Sequence, residues 1–221
     1  MTGVYERALG EAADELHPKV RERYSVGPED GVTVGRGEMD ISRGTHVLPA
    51  LYAMTARDML FPEAGHDVPF SVTTVGYDLD GHEAMTTRRS FEFGGKTRRF
   101  DSVTVWDSDG ERLLDFLGRG GPIATELHPR VENGALVVEA GRQWLHRGDR
   151  YVRLPAPLVA DVEVRDRYDE AGECYYVLAT VENALAGHVL SYRGSFTQEL
   201  TGRDEVADLR PIRHLPTLPP R

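Results

Sequence analysis

The chain has 221 residues, with 26 Lys and Arg against 36 Asp and Glu, a formal net charge of −10 and a pI near 5.3. So acidic a chain lacks the basic surface that phosphates require, which argues against nucleic acid as a partner. No apolar run approaches the ~18 residues of a membrane span, Met1–Gly10 carries no signal-peptide pattern, and Cys174 is the only cysteine. The expectation is therefore a cytoplasmic protein without membrane insertion, internal disulfide or thiolate-bound metal.

A chain this long fits one domain with a core that needs no staple. Val4, Ala8, Leu9, Ala12 and Leu16 recur at helical spacing, and His17-Pro18 interrupts them. A second helical piece covers Val20–Tyr24. After the turn cluster Gly27–Gly31 a strand is expected over about Val32–Ile41, where Gly35 and Gly37 signal a bend, a bulge or a close backbone approach. Val47–Phe61 is apolar enough for a covering helix, with Pro49 suited to its first turn and Pro62 ending it. From Val68 the texture becomes alternating segments separated by Asp80-Gly81, Gly94-Gly95, Asp109-Gly110 and Asn133-Gly134. Such dipeptides make tight turns, which link only antiparallel neighbours. The reading is a meander of about nine or ten strands, and so long a twisted sheet curls or closes. The predicted fold is mainly β, an α+β variant. It is a strongly curved antiparallel meander forming a lipocalin-like half-barrel or barrel, with an N-terminal helix and a short covering helix. Residues 1–209 form the domain, and Arg210–Arg221, rich in proline, reads as an extended, poorly ordered tail.

Tyr5-Glu6-Arg7-Ala8-Leu9-Gly10, Leu16-His17-Pro18, Leu60-Phe61-Pro62-Glu63, Asp67-Val68-Pro69-Phe70, Arg89-Ser90-Phe91, Lys96–Asp101 and Tyr192–Phe196 appear in this order and spacing. Together they resemble the bacterial family described as "domain of unknown function 4166", over about residues 4 to 200. The resemblance implies a boundary and a link to small-molecule metabolism. It implies no reaction and no catalytic residue.

Several residues could carry chemistry. Glu38 and Asp40 are two apart on a strand, so both project from one face, roughly 7 Å apart. They are either an acid/base pair or a solvated strand face. Arg88, Arg89, Arg98 and Arg99 lie on two strands of one hairpin. They either bind a carboxylate or phosphate or pair with acidic neighbours such as Asp101. Tyr192 is either a proton donor or a packed core tyrosine. The eight histidines form no His-x-His or His-x-x-x-His pair, so neither metal nor cofactor is expected.

A curved barrel of this size holds one small ligand. The first functional expectation is binding of a small, largely apolar metabolite with a polar or anionic group. The alternative is a cofactor-independent acid/base enzyme, a cyclase, isomerase or hydrolase of a biosynthetic pathway. The expected site has Asp40 as base and Tyr192 as proton donor. Arg89, Arg99, Glu38, Tyr52 and Phe61 contact the ligand. Partners are the ligand or substrate, with room for a homo-oligomer.

Overall fold

The computed structural model describes residues 3–202, 209–215 and 217–221. Among them are eleven strands and three α-helices: α1 (Val4–Leu9), α2 (Pro18–Tyr24), β1 (Val32–Arg43), α3 (Leu48–Thr55), β2 (Gly65–Leu79), β3 (His82–Phe93), β4 (Lys96–Asp107), β5 (Arg112–Leu117), β6 (Ile123–Glu132), β7 (Ala135–Arg147), β8 (Arg150–Arg153), β9 (Ala160–Asp169), β10 (Cys174–Asn183) and β11 (Gly187–Thr201). Each strand pairs antiparallel with its neighbour in sequence from β1 to β7. The chain then continues through β9, β10 and β11, and β11 returns to β1. The result is a closed ten-stranded barrel, with β8 added as a short hairpin arm on β7. Closure removes the unpaired edges that an open sheet of this size would expose.

The turn chemistry accounts for much of the meander. Asp80-Gly81, Gly94-Gly95 and Asn133-Gly134 all take positive φ at both residues, as type I′ turns demand. Asp109-Gly110 does not. There the left-handed residue is Glu111, in a four-residue loop between the paired Asp107 and Arg112. The two glycines of β1 mark a close approach. A Cβ on Gly37 would lie 2.0 Å from the Ser195 carbonyl oxygen, and one on Gly35 would lie 2.7 Å from a Val72 methyl. Only glycine lets β1 and β11 close the barrel this tightly.

Helices α1 and α2 plug one end of the barrel. They are anchored where His17 donates its N–H to the Gly134 carbonyl in the β6–β7 turn. Helix α3 and the segment after it cover the opposite mouth. Leu51, Leu60 and Phe61 are buried there, as an apolar covering segment requires, but Tyr52 faces solvent at 63% exposure. Inside, Phe61, Phe91, Phe70, Phe196 and Tyr175 form a continuous chain of ring contacts with centroids 4.9–5.8 Å apart. This stack fills the side of the barrel formed by β1, β2, β3, β10 and β11.

The end of the chain departs from the reading as a loose tail. Its described residues lie along the outer face of the barrel. Ile212 packs with Val103, Val105, Leu114, Phe116, Trp144 and Tyr151, with Leu215 and Leu218 beside them. Arg112 donates to the carbonyls of Pro219 and Pro220. The segment covers an apolar outer patch too large for a solvated barrel wall. No described helix is long and apolar enough to cross a membrane.

Candidate functional site

The half of the interior left open by the aromatic stack holds a cavity of about 190 Å³. Strand alternation decides what lines it. Thr87 and Arg89 on β3, Phe100 and Ser102 on β4, Asp115 and Leu117 on β5, and Val162 and Val164 on β9 all point inward. Tyr5, Arg23 and Tyr24 rise from the helical plug to form the floor. Met54, Met59, Leu60 and Leu158 stand toward the mouth. Leu158 both lines the cavity and is 65% exposed, so the cavity meets solvent beside it. There β7 has left β9 to pair with β8, and the Gln143 side chain bridges the gap. Its Nε2 donates to the Ala160 carbonyl at 2.6 Å, and its Oε1 accepts from the Ala160 N–H at 3.0 Å.

Polar groups gather at the floor. Arg23 donates from Nε to Asp166 Oδ2 at 2.9 Å, and the Tyr24 hydroxyl donates to the same oxygen at 2.9 Å. The Arg23 guanidinium also lies over the Phe196 ring, 4.6 Å from its centroid. Above them sits Arg89, whose guanidinium stacks on Phe100 at 4.8 Å and whose Nη1 is buried without a hydrogen-bond partner among the described residues. Burial works against its charge, but Tyr192 and Asp115 outweigh burial and raise its pKa. The Asp115 carboxyl accepts from the Thr104 hydroxyl at 2.8 Å. Burial pulls its pKa up, opposed by Thr104 and by the Arg89 charge. The hydroxyls of Tyr5, Tyr24 and Tyr192 all titrate above their usual range, because burial disfavours a phenolate. The arrangement is an apolar chamber with one incompletely satisfied cation, a reluctant carboxylate and several neutral hydroxyls.

Of the residues expected at the site, the barrel brings two together inside: Arg89 and Tyr192 both line the cavity. The others lie elsewhere, and strand parity is the reason. Asp40 pairs with Arg193 in register and faces outward, while the next residue, Ile41, opposes Tyr192 on the inner face. His66 Nδ1 contacts Asp40 at 3.1 Å and, with the Asp67 N–H, holds its carboxyl below the usual range. Asp40 is therefore no base for this cavity. Glu38 shares that outer, exposed face. Arg99 also points outward and pairs with Asp58 at 3.0 Å. Its outward neighbours Arg88 and Asp101 form the expected cross-strand pair at 3.2 Å. Tyr52 is in solvent, and Phe61 is part of the aromatic stack. The sequence reading missed Arg23, Asp115 and Asp166. Asp115 left a trace: it is the one charge in the otherwise apolar Leu113–Leu117. Arg23 left another, three residues from Val20 and beside Tyr24 on the apolar side of α2.

The family model for "domain of unknown function (DUF4166)" matches residues 16–196, and the chain belongs to that family. Its relatives include "Uncharacterized protein YndH" of Bacillus subtilis, 30% identical over 203 residues, which cover 90% of this chain and 98% of the relative. No solved structure matches the chain.

Proposed function

We propose that the barrel binds a small, largely apolar molecule bearing one polar or anionic group, with the apolar part among Leu117, Val162 and Val164 and the polar group at Arg89. The observation that carries this reading is the Arg89 guanidinium. It is held on an aromatic face inside an apolar cavity, with a buried Nη1 that no described residue satisfies. Unpaired buried polar groups cost free energy, so a site that keeps one gains by meeting a complementary ligand. The cavity volume sets the ligand size. A cavity of about 150 Å³ accommodates benzene, so one of about 190 Å³ that opens to solvent beside Leu158 suits a larger, slender molecule.

Calorimetric titration with short-chain alkanols, alkanoates and substituted benzenes tests the reading. Binding with a negative heat-capacity change supports it, as does loss of binding when Ala140, a residue of the cavity wall, is enlarged by Ala140→Phe in a folded variant. No binding by any member of the panel, or binding indifferent to Ala140→Phe, contradicts it.

A second reading, a cofactor-independent acid/base enzyme, is favoured by a different observation. Asp115, a carboxyl with a raised pKa, lies in the same cavity as Tyr192 and Arg89. Such a set can move a proton at a bound carbonyl compound while the guanidinium stabilises the developing oxyanion. In that reading Asp115, not Asp40, is the base.

A further inference from the structure

Resting on the binding reading above, we infer that the ligand is a monocarboxylate entering head-first, and that its carboxylate binds at Arg89 together with one proton taken up by Asp115. The cavity is polarised along its length. Its charged groups lie in the floor and middle, Arg89 and Asp115 beside the hydroxyls of Tyr5 and Tyr24, whereas the walls toward the mouth carry Leu154 and Leu158 and, as their polar member, Gln143, whose amide is already paired with Ala160. An amphiphile with a single polar end therefore has one favourable orientation, with the head down and the hydrocarbon toward the mouth.

The head-group chemistry follows from the donors. Arg23 is already committed: its Nε and the Tyr24 hydroxyl share Asp166 Oδ2, and its Nη1 donates to Gln198. Arg89 is the cation left with an unsatisfied buried N–H. A planar guanidinium with a free donor is matched by a carboxylate, which is smaller than a phosphate ester and suits a cavity of about 190 Å³.

Asp115 lines the same cavity as Arg89, and two carboxylates in one dry chamber beside a single unpaired guanidinium do not both stay ionised. The groups facing Asp115 are Tyr5 from α1, Arg89 from β3, and Thr104 and Ser102 from β4. Arg23, Tyr24 and Tyr192 act on Arg89 or Tyr5 nearby. Asp166 acts on Tyr192 too, but it is held by Arg23 and Tyr24; Asp115 is held by a neutral hydroxyl, that of Thr104, so Asp115 is the group that takes the proton. By linkage, a site that gains a proton on binding loses affinity as pH rises, up to tenfold per pH unit where the free form is ionised and the complex protonated.

The probes are octanoate and its neutral isostere octanamide, titrated calorimetrically into the full chain between pH 6 and 8. Octanoate stays ionised throughout that range. The expected result has three parts. Octanoate binds at least tenfold more tightly than octanamide at pH 6. Its affinity falls toward pH 8 while that of octanamide does not. Titrations in buffers of different ionisation enthalpy report uptake of close to one proton. In Asp115→Asn the octanoate affinity becomes independent of pH. In Arg89→Gln octanoate loses its advantage and octanamide still binds, whereas Arg89→Lys keeps part of the advantage. Circular dichroism checks the fold of each variant, and Asp115→Asn, being nearly isosteric, keeps the test decisive should the Arg89 variants not fold.

Equal affinities for the two probes overturn the carboxylate assignment but leave the cavity reading standing. An octanoate preference without proton uptake overturns the role of Asp115. Binding of neither probe overturns the inference. The cavity reading falls with it only if the wider apolar panel fails as well.

Discussion

At the scale of the residue, two interior carboxylates, Asp166 and Asp115, stand in opposite situations. Asp166 is buried and accepts from both Arg23 and Tyr24. Removing it strands a buried guanidinium, which costs about 3–5 kcal/mol. Asp166→Ala is expected to lower the urea midpoint by that amount of free energy, with an unchanged denaturant slope. Asp115 is the reverse case, since burial raises its pKa. A folded-state pKa above the unfolded one contributes stability that is fully present below the unfolded pKa and lost as pH rises through the folded one. At pH 7, above the unfolded pKa, burying Asp115 therefore weighs against the fold. Asp115→Asn is expected to stabilise the protein at pH 7, and the gain should vanish below about pH 3.9, the ordinary aspartate value. Urea midpoints at pH 7 and pH 3.5 check this, and a variant less stable than the parent at pH 7 would contradict it. A group that strains the fold and faces a cavity is what a binding or catalytic site requires.

At the scale of the element, α3 separates packing from exposure within a single turn of helix. Leu51 is fully buried against the inner stack and Tyr52 is 63% exposed. Leu51→Ala is expected to cost about 2–5 kcal/mol, and Tyr52→Ala no more than about 0.5 kcal/mol. Thermal or urea unfolding distinguishes them directly. The elements were legible in the sequence wherever a local rule acts alone. The Asn133-Gly134 and Asp80-Gly81 turns, the Pro49 helix start and the close approach at Gly37 all depend on backbone conformation within a few residues. The site was legible only in part, because the face a strand turns inward depends on where the barrel closes. Once Ile41 opposes Tyr192 across the β1–β11 seam, Asp40 must face outward. That seam pairs residues about 150 positions apart in sequence, and nothing local to Asp40 records it. Arg89 and Tyr192 share the interior because β3 and β11 both turn those positions toward the aromatic stack, where Tyr192 meets the Phe91 ring at 5.5 Å.

At the scale of the whole molecule, the barrel is sealed on several sides. Helices α1 and α2 close the floor, α3 covers the mouth, and the C-terminal segment lies over the apolar outer wall. A chain truncated after residue 208 would expose Phe116, Trp144 and their neighbours. It is expected to melt at a lower temperature and to self-associate, measurable by light scattering, whereas an unchanged melting temperature would show that the segment contributes nothing. The closed barrel also gives the molecule two apolar compartments, an outer one filled by its own chain and an inner one left open. The central claim is that the inner compartment is the binding site. Methyl-resolved NMR during an octanoate titration tests it most directly. The predicted result is saturable shifts confined to cavity-lining methyls such as those of Met85, Leu117, Ile123 and Val164, with Val103 and Leu114 on the outer wall unmoved. Shifts centred on Val103 and Leu114, or none at the inner methyls, would contradict it.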